Sequence, residues 1–213
     1  MLIANAGGVI SANYHEEFCL RMFEEPEMID QQAERTFQRS LDAIRRFRDL
    51  GAGAVFIASD IADNSGPFFN PSQMERWIYP FLGRWAEAVH SLGMFGILHS
   101  DGNLAPYMDR LATSGVDAIQ AIDPVAGMDM VETMKLVAGR VCLCGNVDCG
   151  LLLTGTPDLL FEATTRLLAA CGSGGGFVLG ASNAVQPETP ISNYRAMIAA
   201  CREFNGARWC AKR

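Results

Sequence analysis

Apolar residues gather along the chain in six short runs: LIANA (2–6), AVFIA (54–58), MFGIL (94–98), AIQAI (118–122), RVCLC (140–144) and GGFVLG (175–180). They show no polar alternation, and their short length and flanking glycines argue against a buried helix. Such runs suit strands covered on both faces. Between them the apolar period lengthens to three or four. After Pro26, the residues Ile29, Ala33, Phe37, Leu41, Ile44 and Phe47 recur at helical spacing, and Gly51 closes the stretch. Ser72 with Glu75 predicts a capping box for a helix carrying Met74, Trp77, Ile78, Phe81, Trp85 and Val89 on one side. Pro80 inside it predicts a kink or a break. Thr156 and Pro157 open a helix through Leu160, Ala163 and Leu167, and a last one follows Ser192 with Met197, Ile198, Cys201 and Phe204.

Strands alternating with helices predict an α/β fold with a parallel sheet. No low-complexity linker divides the 213 residues, so residues 1–213 read as one domain. A doubly wound sheet that binds a dinucleotide needs an early Gly-x-Gly-x-x-Gly turn, and none is present; GSGGG (172–176) precedes a strand. A barrel of parallel strands is the other solution, and there the polar strand ends acquire a common meaning. Asn5, Asp60, His99 with Asp101, Asp123, Asn146 with Asp148, and Ser182 with Asn183 each follow an apolar run. In a barrel all of them reach one mouth. Taken singly, such residues commonly cap the next helix, and Asp123 before Pro124 reads that way. His99 and Asp101 differ. Two residues apart on an extended backbone they share a side, so imidazole and carboxylate face the mouth together, as a proton-transfer pair or as metal ligands.

Charge and cysteine content narrow the partners. A net charge of −7 excludes a nucleic-acid groove, and Arg39, Arg45, Arg46 and Arg48 share a helix with an apolar stripe and read as its solvated face. The start MLIANAGG has neither a basic segment nor a long apolar one, and no run approaches a membrane span. Seven cysteines without an export signal read as reduced thiols of the cytoplasm. Cys142, Cys144 and Cys149 lack a histidine to complete a zinc set and read as small buried apolar residues. His15 and His90 lie in polar helical stretches and are expected to face solvent.

The stretches DLGAGAVFIASD (49–60), FNPSQMERWIYPFLGRWAEAVHSLG (69–93), ILHSDGN (97–103), SGVDAIQAIDP (114–124), VCLCGNVDCGLLLTGTPDLL (141–160) and GGGFVLGASNAVQPETPISNY (174–194) follow one another in an order that resembles the uroporphyrinogen decarboxylase superfamily. That superfamily includes the corrinoid-dependent methyltransferases acting on coenzyme M. The resemblance implies an eight-stranded (β/α) TIM barrel, with the six units here matching its third to eighth, and so an incomplete barrel of six parallel strands. Unpaired edges of such a sheet imply a homodimer or a partner chain over the gap.

The resemblance also assigns roles. GGVISANY (7–14) is similar to the decarboxylase stretch ending in an active-site tyrosine, which implies substrate contact at Tyr14. The decarboxylases carry a Gly-His-Gly turn after the last strand, where this chain reads GASN with Ser182 nearest the histidine position. The methyltransferases bind zinc through His-x-Cys and a distant cysteine; here His99 is present and Asp101 stands at the cysteine position. The expected function is therefore cobalamin-dependent methyl transfer, with a tetrapyrrole or corrinoid-bound methyl donor as partner. His99, Asp101 and Asp60 are the expected catalytic groups, and Tyr14, Asn146, Asp148, Ser182 and Asn183 the substrate contacts. The expected centre works without a metal; the alternative is zinc or another divalent ion on His99, Asp101 and Asp60. Uroporphyrinogen decarboxylation, as in porphyrin biosynthesis, and a non-catalytic binding or assembly chain are the alternative functions.

Overall fold

The computed structural model describes residues 1–11 and 16–211, with side chains described through residue 206. Each of the six apolar runs contributes a strand: β1 (Leu2–Asn5), β2 (Ala52–Ala58), β5 (Phe95–His99), β6 (Ala118–Gln120), β7 (Cys142–Val147) and β8 (Phe177–Ala181). They form one parallel sheet in chain order, β1-β2-β5-β6-β7-β8. A short antiparallel pair, β3 (Ala62–Asp63) with β4 (Gly66–Pro67), follows β2 and has no counterpart in the sequence expectations.

Helices cover one face of the sheet. After α1 (Glu16–Glu24), the long α2 (Pro26–Asp49) buries Ile29, Ala33, Phe37, Ser40 and Ile44 along one stripe. A single turn, α3 (Pro71–Gln73), passes through a π-type turn at Met74–Ile78 into α4 (Tyr79–Ser91). The connections that follow carry α5 (Met108–Leu111), α6 (Met130–Val137), α7 (Cys149–Thr154), α8 (Pro157–Cys171) and α9 (Ile191–Ala211). Beneath them Val55, Ile57, Leu98, Ile119 and Leu143 are fully buried, together with Trp77 and Trp85. The Trp85 indole N–H donates to Ser40 Oγ at 2.9 Å, so the largest buried ring leaves no donor unpaired. Among the described residues, no helix is long and apolar enough to cross a membrane.

The other face corrects the expectation of strands covered on both sides. Ile3, Ala54, Phe56, Ile97, Ala118, Gln120, Cys142, Cys144 and Leu179 line an open trough of about 690 Å³ that runs from β1 to β8. A single trough touched by both edge strands means that the sheet curls. It does not close: β1 and β8 each pair on one side only among the described residues. The sheet is therefore an incomplete barrel, and its interior is a solvent-facing apolar groove.

Two local expectations shift. The capping box lies two residues earlier than Ser72 and Glu75: Asn70 Oδ1 accepts from the Gln73 amide at 3.0 Å and Gln73 Oε1 accepts from the Asn70 amide at 2.9 Å. Pro71 decides the frame, because its fixed φ and missing N–H suit the first helical position. Nor does Pro80 break the helix. The widened turn at Met74–Ile78 ends just before it, so Pro80 sits in the first turn of α4, where a missing N–H costs little.

Candidate functional site

β5 delivers His99 as its last residue, and pairing continues past the strand ends: the Ser59 amide donates to the His99 carbonyl at 3.3 Å and the Ser100 amide to the Gln120 carbonyl at 3.0 Å. The buried Ser100 hydroxyl ties the loops together, accepting from the Ile61 amide at 3.0 Å and donating to the Asp101 carbonyl at 2.9 Å. Asp101 thereby returns to the side of His99. Its amide donates to Asp60 Oδ1 at 3.0 Å, which draws the end of β2 into the same cluster. Gly102 follows because only glycine fits. Its φ is +87°, and a Cβ there would stand 2.6 Å from the Asp63 carbonyl oxygen, next to the point where the Asn103 amide donates to that oxygen at 2.8 Å.

The imidazole is held on both sides. His99 Nδ1 is hydrogen-bonded to Gln120 Oε1, and the Gln120 amide is oriented by its Nε2 donating to the Ala181 carbonyl at 3.5 Å. An amide oxygen only accepts, so the Nδ1 position carries the proton and Nε2 is turned to the carboxylates. Nε2 lies 3.8 Å from Asp60 Oδ1 and 3.8 Å from Asp101 Oδ1. Asn183 Nδ2 donates to the other Asp101 oxygen, Oδ2. Asp101 Oδ1 itself is buried and has no hydrogen-bond partner among the described residues.

Burial pushes the Asp101 carboxyl above the usual aspartate range; the charges of Asp60 and Asp123 add to this, while His99 and the Asn183 hydrogen bond oppose it. A carboxyl raised in the folded state is at no disadvantage below its unfolded value of about 3.9, and it costs stability as the pH climbs through the folded value. Asp101→Asn is therefore expected to melt higher than the parent at pH 8, with the difference shrinking as the pH is lowered toward 4. Thermal melts across that range check it, and equal melting temperatures at pH 8 would refute it.

Not every expected site residue joins this cluster. Asp60, His99, Asp101 and Asn183 do. Ser182 is buried at the end of β8, where its amide donates to the Val147 carbonyl at 2.8 Å and extends the sheet. Asn146 and Asp148 are a correction: they line a separate crevice of about 350 Å³ with Asp129, Leu151 and Arg166. Asn146 lies within β7, directly after Gly145, whose φ is +136°. Capping explains Asp148, whose Oδ1 accepts from the Leu151 amide at 2.7 Å at the start of α7. Asp123 caps as expected, accepting from the Val125 amide at 3.0 Å. Tyr14 and His15 lie outside the described residues. His90 is half-exposed, with Nε2 at 2.9 Å from Asp117. Sequence reading missed Gln120, the one hydrogen-bonding side chain within AIQAI, which only the strand register sets beside His99.

The donor set can be weighed for a metal. One imidazole nitrogen and two carboxylate oxygens lie within 4.8 Å of one another, the spread of a coordination sphere around one ion. Asp101 Oδ1, buried and unpartnered, is the kind of donor that a cation satisfies. Nitrogen with two oxygens suits zinc, iron or manganese; it lacks the sulfur that would favour a thiolate-type zinc centre.

Comparison with known proteins matches the geometry to a lineage. The uroporphyrinogen decarboxylase (URO-D) family matches residues 5–204. The uroporphyrinogen decarboxylase of Anaeromyxobacter dehalogenans is 31% identical over 131 residues, which are 62% of this chain and 36% of that protein. The methylcobamide:CoM methyltransferase MtaA of Methanosarcina barkeri is 24% identical over 156 residues, 73% of this chain and 43% of that protein. A solved methyltransferase from Methanosarcina mazei superposes with a TM-score of 0.72 at 21% identity, over 89% of this chain and 53% of that one, and so shares the fold. The chain thus spans roughly two fifths of the curated relatives' length. With the curled parallel sheet and the matched residues taken together, this chain belongs to the uroporphyrinogen decarboxylase family.

Proposed function

We propose that the Asp60–His99–Asp101 cluster is the reacting centre of a corrinoid-dependent methyl transfer. One observation carries this: His99 has one ring nitrogen tied to Gln120 and the other 3.8 Å from two separate carboxylates, a group built to accept or hold positive charge. The likeness to a methylcobamide:CoM methyltransferase supports the choice of reaction. A corrinoid supplies a methyl group to a nucleophilic acceptor. This chain's part is to prepare that acceptor: His99 Nε2 takes its proton, Asp60 and Asp101 stabilise the imidazolium that results, and Asn183 holds Asp101 in place. The unpartnered Asp101 Oδ1 favours a second arrangement, in which Asp60, His99 and Asp101 hold a divalent cation that lowers the acceptor's pKa.

Decarboxylation of a polycarboxylate is less well served by these residues. Arg76, Arg84 and Arg140 pair with Asp30, Glu34 and Asp109 on the helical outside, and none of them reaches the His99 cluster. We further place the protein in the cytoplasm, supported by the free thiols of Cys19, Cys142, Cys144, Cys149, Cys171 and Cys201. A second chain is proposed to cover the open sheet edges, supported by the exposure of Ile3, Phe95 and Val178 on the trough side.

The test is anaerobic incubation with methylcobalamin and a panel of thiol acceptors, following loss of the methylcobalamin absorbance, with a parallel incubation with uroporphyrinogen. Acceptor-dependent demethylation is the expected result. Coproporphyrinogen formation would reassign the site to decarboxylation, and binding of either compound without turnover would make this a binding chain. Metal analysis of chelator-free protein, repeated on His99→Ala, separates the two arrangements of the cluster.

A further inference from the structure

A second constellation lies in the trough, apart from the His99 cluster. Cys142 and Cys144 stand two apart on β7, and both side chains line the trough. They are half-buried free thiols, which corrects the expectation that they are sealed in the core. Two residues apart on an extended strand, their side chains leave the same face of the sheet, so both sulfurs can reach one ion in the trough. Around them the lining is almost entirely hydrocarbon, with Ala118, Leu179 and Ala181 among the neighbours of the trough wall. In register, Cys144 pairs with Gln120 and Gln120 with His99, so the pair sits two strands, roughly 10 Å, from the imidazole.

We propose that Cys142 and Cys144 form a two-sulfur chelating site for a soft monovalent cation of the copper(I) class. Coordination number makes the selection. Among the described residues, the one group of three or more histidine, cysteine or acidic side chains close enough to share an ion is the Asp60–His99–Asp101 set, so the cysteine pair has no third ligand of that kind. Zinc in a structural site demands a tetrahedral set, which two sulfurs cannot supply. Copper(I) is soft, prefers thiolates, and is satisfied by few ligands. An apolar trough adds to this preference, because a strongly hydrated ion pays more to leave water than a weakly hydrated soft one does.

The protonation balance follows from the pair itself. Cys144 beside it lowers the Cys142 thiol to about 7, whereas Cys142 and then burial push the Cys144 thiol up. Binding of the cation forms two metal–sulfur bonds and releases the protons that the two thiols still carry to solvent, leaving a bis-thiolate complex with one net negative charge.

The experiment is an anaerobic titration of the whole purified protein with copper(I), buffered by a chromophoric chelator in the presence of excess glutathione. One equivalent is expected to be retained, with a sulfur-only shell by X-ray absorption. Loss of one arm of a chelate costs about a hundredfold or more in affinity. Cys142→Ser and Cys144→Ser are each expected to lose that much, and the double variant little beyond it. Cys149→Ser and His99→Ala are expected to bind as the parent does. Circular dichroism melts show whether the serine variants are folded; should one fail, capture of both thiols of the parent by a vicinal-dithiol reagent such as phenylarsine oxide, which forms two arsenic–sulfur bonds and releases water, reads the same pair, and it must block copper(I) retention. The proposal is overturned if glutathione strips the ion from the parent, if both serine variants retain it, if Cys149→Ser loses it equally, or if the shell contains histidine nitrogen.

Discussion

Replacing His99 with alanine is expected to lower the proposed methyl transfer by about two to four orders of magnitude, the usual contribution of a positioned acid–base group. The side chain is held from both directions, by Gln120 at Nδ1 and by the two carboxylates facing Nε2. Removing the ring also takes away the group that opposes the upward push on the Asp101 carboxyl. Gln120→Leu offers a graded comparison. It leaves the imidazole in place and removes the acceptor at Nδ1, which frees the ring to turn and to exchange tautomers. Its expected rate is intermediate, and its pH–rate profile is displaced relative to the parent, which a merely structural role for Gln120 would not produce. Single-turnover decay of methylcobalamin, measured from pH 5 to 9, gives both results. A His99→Ala variant that retains more than about a tenth of the parent rate would remove His99 from the chemistry.

The six strands were legible because each is a compact apolar run between helical stretches, and β2, β5, β6 and β7 all lie within or across their runs. What composition of a run cannot show is whether both of its faces are covered. Phe56, Ile97 and Cys144 read as core, yet they line an open groove, because covering them takes strands beyond the six. The His99–Asp101 pair was legible from strand alternation alone, and Asp60 from its place after β2. Gln120 was not, since one amide in an apolar strand forms no motif until the register sets it beside His99. Asn146 and Asp148 show the opposite failure. Both follow an apolar run, as Asp60 does, but Asn146 is still within β7, and Asp148 is taken up by the cap that α7 demands. The capping box failed for a simpler reason: Asn70…Gln73 and Ser72…Glu75 carry the same pattern two residues apart, and the proline between them breaks the tie.

Gly145→Ala is expected to be the most damaging of the conservative changes. Glycine inside a strand weakens it unless another backbone approaches closely, and here one does. A Cβ on Gly145 would lie 2.2 Å from the Ala121 carbonyl oxygen, far inside van der Waals contact, and the residue has φ +136°, a conformation alanine strongly disfavours. The opposing atom is main chain between β6 and the Asp123 cap, so it cannot swing aside as a side-chain tip would. Backbone strain and overpacking each cost about 1–3 kcal/mol, so roughly 4 kcal/mol is expected in sum. For a chain of this size that corresponds to a fall in melting temperature of roughly 8–16 °C. Gly174→Ala is the matched control: its added Cβ meets nothing within 4 Å, and no positive φ opposes it. Parallel thermal melts of the two variants give the comparison. If Gly145→Ala melts with the parent while remaining cooperative, the close approach of β7 to the Ala121 backbone is not what holds this side of the mouth.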